Sequence, residues 1–360
     1  MNNHSRKTYS IINLPALVRN YINIDNLAPK SETIAVIKAN AYGHGAIEVA
    51  KSLSPHVPAL AVAFIDEAIE LRDAGITLPI LIMEGALSYD DFHTASQQNF
   101  WLMLHTTEQV MWMSKMSPNY TGKLWLKVDT GMNRLGIKPN KVEDVLATLT
   151  SQQREDLVLC THFSSSEEVG NPKTLLQIQE FERINQKHCF KKSLANSAAI
   201  LNWSQSHGNF NRLGLALYGA TPIPAENLPI KLTPVMTLQS TIIALRQLNS
   251  GESVGYGEKW QAKRSSVIAT IAIGYADGYP RNAKNGTPVF INGQIAPLAG
   301  RVSMDMLTVD VTDISDIQLG DVVELWGKNL AIEKVAKHLD SINYELLTRV
   351  SNRVPRIYVQ

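Results

Sequence analysis

The sequence predicts an α/β protein of two parts, a (β/α)8 TIM barrel and a C-terminal mainly-β domain. Between about residues 33 and 219, short apolar runs rich in β-branched residues alternate with segments of helical spacing. From about residue 230 the pattern changes to strand-like alternation of period two, interrupted by turns such as Asn-Gly. The first pattern is typical of parallel strands covered by helices, and the second of antiparallel strands joined by tight turns.

The barrel strands are predicted in chain order as apolar runs at 33–39, 58–64, 79–83, 100–104, 123–128 and 157–161, with further runs near 193–194 and 213–218. Segments of helical spacing separate them, most clearly at 142–149 and 172–188. Repeated strand–helix units favour a closed barrel. An open doubly wound sheet is the alternative, but no GxGxxG motif follows the first strand.

We therefore expect the barrel at residues 8–229 and the β-rich domain at residues 230–360. Whether residues 1–7 join the second domain stays open. In the second domain, strand-like segments follow one another closely, and only residues 330–341 have clear helical spacing.

Composition excludes several classes of protein. The 360 residues are 44% apolar and 19% charged, which is typical of a globular chain. A net charge of +1 without a basic stripe argues against nucleic acid as a partner, and no apolar run is long enough to span a membrane. Two cysteines and no signal-peptide pattern predict a cytoplasmic protein, and nine histidines without ligand spacing predict no metal site.

Lys38 is the strongest candidate for chemistry. It lies at the end of the first apolar run and precedes the turn Tyr42-Gly-His-Gly, so the predicted barrel places it at the active-site end of a strand. A desolvated lysine has a lowered pKa, and its neutral amine forms Schiff bases with carbonyl compounds. A lysine whose ammonium group simply reaches solvent is the alternative.

Further candidate residues lie in or beside the other predicted strands. They offer cations for an anionic ligand and a hydroxyl-and-amide cradle for a phosphate: Lys127, Arg134, His162, Asn196, Ser197, Arg212, Gly214 and Leu215. In the β-rich domain, Tyr256 lies between two glycines, and a tyrosine held against a cation can act as a general base. Each of these residues, taken alone, also fits an ordinary structural role.

Taken together, these segments closely resemble the alanine racemases that use pyridoxal 5'-phosphate. The resemblance extends over nearly the whole chain and rests on motifs that occur in the order of the family: AVIKANAYGHG, LKVDTGMNRLG, THFSSSEE, NSAA, RLGLALYG, VGYG, IGYADGYPR and GRVSMDM. It implies interconversion of L-alanine and D-alanine by two-base α-proton transfer on a pyridoxal phosphate aldimine. It also implies supply of D-alanine for peptidoglycan and a homodimer with shared active sites.

The resemblance also assigns roles to individual residues. Lys38 would carry the cofactor and act as the base on one face, and Tyr256 of a second subunit would act on the other. Arg134 and Met304 would bind the substrate carboxylate. The remaining cofactor contacts would come from Tyr42, Arg134, His162, Asn196, Ser197, Arg212, Gly214 and Leu215. Lys127 matches a lysine that is carbamylated in many members, and the entrance would be formed by Tyr275, Arg281, Arg301 and Asp305.

One departure from the family pattern concerns substrate size. Asn352 occupies a position before the Arg-Val-Pro-Arg segment that is often tyrosine in the family. Loss of that aromatic side chain predicts room for a larger or more polar substrate, so measurable racemisation of serine is a hypothesis. A broader amino-acid racemase and a non-catalytic pyridoxal phosphate carrier are the alternative functions, although a carrier would leave the β-rich domain unexplained.

Overall fold

The computed structural model describes residues 6–116 and 120–360. Within these ranges, eight parallel strands form the barrel sheet, in the order β9-β2-β3-β4-β5-β6-β7-β8. Their bounds are β2 (Glu32–Val36), β3 (Leu60–Val62), β4 (Ile80–Ile82), β5 (Trp101–Leu104), β6 (Leu124–Lys127), β7 (Val158–Cys160), β8 (Lys191–Ser193) and β9 (Phe210–Leu213). β8 lies beside β9, so the barrel is nearly closed. The predicted fold class is thus confirmed.

Helices follow the barrel strands, and most of them cover the outside of the sheet. They are α1 (Leu14–Asp25), α2 (Lys38–Tyr42), α3 (Ala46–Leu53), α4 (Ile65–Asp73), α5 (Tyr89–Gln97), α6 (Thr107–Met116), α7 (Val142–Thr148), α8 (Ser151–Glu155), α9 (Pro172–Asn185) and α10 (Ser197–Asn202). Most barrel strands are buried along their whole length, because side chains on one face fill the barrel and those on the other meet the helices. In the described part of the chain, no helix combines the length and the apolar character needed to cross a membrane.

The second domain is built on an extended, mainly antiparallel sheet. Its strands after the barrel are β10 (Met236–Leu248), β13 (Ser266–Ile271), β14 (Pro288–Ile291), β15 (Gln294–Pro297), β16 (Leu307–Asp310), β17 (Val322–Trp326) and β18 (Arg356–Val359). A separate short hairpin pairs β11 (Ser253–Val254) with β12 (Trp260–Gln261). Two helices follow β17: α11 (Ile332–His338), inside the predicted helical segment, and α12 (Asn343–Arg349), which the sequence analysis does not identify.

The first strand corrects the expected start of the barrel domain at residue 8. β1 (Tyr9–Asn13) lies in the sheet of the second domain, antiparallel to β10 and parallel to β18. Its side chains alternate between half-buried and buried positions, whereas the barrel strands are buried on both faces. From β1 onward the chain therefore leaves the sheet of the second domain, builds the barrel and then returns to complete that sheet, while residues 1–5 lie outside the described residues.

Candidate active site

A cavity of about 610 Å³ lies at the carboxyl ends of the barrel strands. Among the residues that line it are all the predicted ones from the barrel: Lys38, Tyr42, Lys127, Arg134, His162, Asn196, Ser197, Arg212, Gly214 and Leu215. Residues Ile342, Tyr344, Glu345 and Thr348, in and just before α12, close one side of the cavity. The second domain thus supplies part of the wall.

An unusual turn carries two of these residues. Lys38 follows β2 after a single residue, and α2 then continues in a left-handed conformation, with φ between 52° and 54° from Ala39 to Tyr42. A left-handed helical turn has the same number of residues per turn as its right-handed counterpart, so Lys38 and Tyr42, four positions apart, lie on one side of it. Both side chains reach the same cavity.

Ser197, Gly214 and Tyr42 form a hydroxyl-and-amide cradle in the same cavity as Lys38. The Ser197 Oγ accepts hydrogen bonds from the backbone N–H groups of Gly214, at 2.8 Å, and Ala216, at 3.5 Å. A Cβ atom on Gly214 would lie 2.7 Å from the Tyr42 hydroxyl and 3.7 Å from the Ser197 Oγ. Glycine keeps this space open, and the cradle has the donor groups that suit a phosphate.

Arg212 is a buried cation held by neutral acceptors. Its guanidinium donates to the Ser193 carbonyl and hydroxyl oxygens, at 3.0 and 2.6 Å, and to the Thr161 carbonyl at 2.7 Å. His162 lies 3.5 Å away through its Nδ1, and burial, together with the charge of Arg212, holds its pKa well below the ordinary value. His162 is therefore neutral. Burial also lowers the pKa of Arg212, although a guanidinium stays protonated in proteins.

The cavity as a whole favours anions. In the described residues that line it, four cationic side chains face two carboxylates, those of Glu84 and Glu345. Lys127 lies at the end of β6, and burial is the largest influence on its pKa, which is lowered. The charges of Arg212 and Arg134 lower this pKa further, while Cys160 and Glu84 act in the opposite direction. A ligand with a phosphate and a carboxylate would compensate this excess of positive charge.

Two family models match the chain, that of the alanine racemase N-terminal domain over residues 12–222 and that of the C-terminal domain over residues 235–358. The chain belongs to the alanine racemase family. It is 46% identical to the alanine racemase of Alteromonas mediterranea over 353 residues, 98% of this chain and 99% of that protein. Membership makes it an enzyme of the isomerase class.

Solved alanine racemases have the same architecture. The crystal structure of the biosynthetic enzyme from Pseudomonas aeruginosa gives a TM-score of 0.94 at 40% identity, with 99% of this chain and 100% of that chain covered. The enzyme from Bartonella henselae, solved with covalently bound pyridoxal phosphate, gives 0.90 at 30% identity, with 98% and 99% covered. The family depends on this cofactor.

In the single chain, the site residues that the family resemblance predicts in the second domain lie outside this cavity. Tyr256 is 63% exposed and lines a separate open hollow with Ser303, and Met304 is 53% exposed. The predicted entrance residues lie in the same domain: Tyr275 under the Arg281 guanidinium at 5.4 Å, Arg301 exposed, and Asp305 in an ion pair with Arg353. None of these residues lines the cavity that contains Lys38 in the described chain.

Several residues that line the cavity are not predicted by the sequence pattern. Glu84 follows β4, and a polar residue directly after a predicted strand is a signal that could have found it. Tyr344 belongs to a short helix without a motif, and its ring centroid lies 6.0 Å from that of Tyr42. Asn352, by contrast, is exposed and outside the cavity lining. Its proposed effect on substrate size stays a prediction.

Proposed function

We propose that this member of the alanine racemase family interconverts L-alanine and D-alanine with pyridoxal 5'-phosphate, in a homodimer that shares its active sites. The observation that carries the proposal is one cavity with a lysine at one end of the left-handed turn and the hydroxyl-and-amide cradle near the other. A cofactor with an aldehyde and a phosphate needs this pair of anchors. When bound, it supplies the electron-withdrawing ring that acidifies the α-proton of the substrate.

Each of the cavity residues would then have a separate role in binding the cofactor or moving the proton. Lys38 would bind the cofactor covalently and move the α-proton on one face. Ser197, Tyr42 and the amides of Gly214 and Leu215 would hold the phosphate, and Asn196 keeps α10 in place by accepting from the Ala199 N–H at 3.0 Å.

Arg212 would donate to the ring nitrogen, with His162 behind it. Because Arg212 stays protonated, it does not transfer its proton to that nitrogen, which limits electron withdrawal and side reactions. The charge of Arg134 would hold the substrate carboxylate, together with the backbone of Met304 from the partner subunit.

Tyr256 would act on the opposite face from a second copy of the chain. Its exposure supports this arrangement, as does the exposure of the apolar residues Met304 and Met306 nearby in the same domain. Large apolar side chains left open to solvent often mark an interface. Tyr275, Arg281, Arg301 and Asp305 would then line the entrance formed between the two copies.

Lys127 is proposed as a carbamylation site. Its lowered pKa increases the fraction of neutral amine, which would add to carbon dioxide with release of a proton. The resulting carbamate would be an anion facing Arg134. We further propose that the enzyme is cytoplasmic, since Cys160 and Cys189 are both free thiols, as expected in a reducing compartment. The D-alanine that it forms would supply peptidoglycan.

The test of the reaction uses purified holoenzyme and L-alanine in heavy water, with optical rotation and the α-proton signal followed together. The optical rotation should fall to zero, where the two enantiomers are equal, and the α-proton signal should disappear as deuterium replaces the proton. Tyr256→Phe should slow proton loss from L-alanine by about 10² to 10⁴-fold, because a positioned base contributes that much. Proton loss without loss of rotation would reject the two-base assignment, and no change in either signal would reject alanine as substrate.

The shared site has a separate test by complementation. Lys38→Ala and Tyr256→Phe each inactivate both sites of a homodimer, but a mixed dimer contains one site with both wild-type residues. After unfolding and refolding an equal mixture, random pairing should restore about a quarter of the wild-type activity. No recovery, with dimers present, would place Lys38 and Tyr256 of one site on the same chain.

A further inference from the structure

The left-handed turn that carries Lys38 and Tyr42 requires support from outside itself. Ala39, Asn40, Ala41 and Tyr42 all have φ between 52° and 54°, and none is glycine. L-residues visit this region as single residues because Cβ approaches the next carbonyl oxygen. Four in succession persist only where surrounding contacts over-determine the conformation. Two side chains that lie outside the cavity lining make such contacts, one at each end.

Glu67, from α4, holds the beginning of the turn. Its Oε1 accepts a hydrogen bond from the Ala39 N–H at 2.6 Å. Its Oε2 accepts from the backbone N–H groups of Ala63, at 2.8 Å, and Phe64, at 3.2 Å. One carboxylate thus joins the residue after Lys38 to the segment that connects β3 with α4. All three partners are donors, and therefore both oxygens must be acceptors.

His44 holds the end of the turn. Its side chain is fully buried, and its Nδ1 lies 3.0 Å from the Ala41 carbonyl oxygen and 2.9 Å from that of Tyr42. Because both oxygens are acceptors, Nδ1 carries the proton. The ring also packs against Tyr218, at 4.5 Å between centroids, and Tyr218 in turn stacks on Tyr42 at 4.8 Å.

We propose that Glu67 and His44 are positioning residues that hold the two ends of the left-handed turn, and thereby fix the distance between the Lys38 amine and the Tyr42 hydroxyl before the cofactor binds. The inference rests on the proposed roles of Lys38 and Tyr42. A ligand that uses both anchors, one through its aldehyde and one through its phosphate, binds better when their spacing is already set. A ligand that uses Lys38 alone gains nothing from that spacing.

This difference defines the experiment, which compares pyridoxal 5'-phosphate with pyridoxal, the same aldehyde without its phosphate. Full-length protein, freed of cofactor, is titrated with each compound, and binding is followed by absorbance of the lysine adduct. The measured quantity is the ratio of the two dissociation constants. Loss of general stability would weaken both ligands alike, whereas loss of the spacing should weaken mainly the phosphorylated one.

His44→Leu and His44→Asn are the matched pair of variants. They are similar in size and both lose the ring contact with Tyr218, but only asparagine retains an N–H donor near the Nδ1 position. His44→Leu should reduce the preference for the phosphorylated ligand about tenfold, a typical effect of losing a buried hydrogen-bond donor, and His44→Asn should stay within about threefold of wild type. Equal ratios in wild type and both variants would overturn the proposal.

The same ratio of dissociation constants is measured for Glu67→Gln. This variant tests the proposal on its own if His44→Leu does not fold. A glutamine has one acceptor oxygen, so it loses either the Ala39 contact or the contacts with Ala63 and Phe64. The ligand preference should then fall by about three- to tenfold. An unchanged ratio in this variant would also overturn the proposal. Failure of wild-type protein to bind either aldehyde would instead contradict the proposed function.

Discussion

Acidification should destabilise the folded chain through His44 in particular. The imidazole is fully buried, and burial is the main reason that its pKa falls to about 4, with the charge of Arg356 adding to the effect. Hydrogen bonds to the carbonyls of Tyr42 and Ala41 oppose this decrease only in part. In the unfolded chain the pKa returns to about 6.5.

The sign and size of the effect follow from these two values. Between pH 6.5 and pH 4 the unfolded chain binds a proton that folded His44 rejects, so acid favours unfolding. The stability contributed by neutral His44 is fully present above pH 6.5 and is lost as the pH falls towards 4. The loss amounts to about 2 kcal/mol at pH 5 and about 3 kcal/mol at pH 4. His162, with its pKa also lowered, acts in the same direction.

The assay is urea-induced unfolding of cofactor-free protein at pH 7 and pH 5, with His44→Asn as the control that does not titrate. Tryptophan fluorescence and far-ultraviolet circular dichroism are followed together at one protein concentration, and the unfolding free energies are compared where the two signals give coincident transitions. Between the two pH values, wild type should lose about 2 kcal/mol more of unfolding free energy than the variant. Equal losses in the two proteins would refute the neutral, buried state of His44.

Three further substitutions test the fold. Phe181→Ala empties a fully buried site in α9 and should lower the unfolding free energy by about 3 to 5 kcal/mol in urea; a loss below about 1 kcal/mol would contradict its place in the core. Ala39→Gly removes the backbone strain of an exposed residue with a φ of 52°. Thermal unfolding should therefore show that the free energy of unfolding rises by about 1 kcal/mol, and a clear decrease would contradict the left-handed turn. Gly219→Ala would place a Cβ 1.9 Å from the Thr233 carbonyl oxygen, in a residue with a φ of 78°. It should lower the free energy of unfolding by more than about 3 kcal/mol, and an unaltered urea midpoint would contradict that close approach.

The barrel and much of its cavity were predictable because both depend on local patterns. β6 is apolar up to its last residue, Lys127, and Lys38 and His162 lie two residues beyond the ends of β2 and β7. In a parallel barrel, all such strand ends meet at one rim, so residues distant in sequence were expected in one site. The positions of these residues at the ends of apolar runs were therefore sufficient to predict that they share one site.

Other features depend on long-range contacts that produce no recognisable pattern in the local sequence. The segment Ala39-Asn40-Ala41 has no glycine to announce a left-handed turn, and its conformation is imposed by contacts with Glu67 and His44. Tyr344 reaches the cavity only because α12 packs on the barrel rim. The partners of β1 could not be identified either, because its alternating pattern fits any half-buried strand.

The position of β1 has a consequence for the order of events during synthesis. Its parallel partner, β18, follows about 340 residues later, so at about 5 to 20 residues per second it leaves the ribosome roughly 20 to 70 seconds afterwards. The whole barrel emerges before either β10 or β18 and can fold first, and one edge of β1 stays unpaired until β18 arrives. The β1 length of five residues limits the unpaired edge that the nascent chain exposes during the delay.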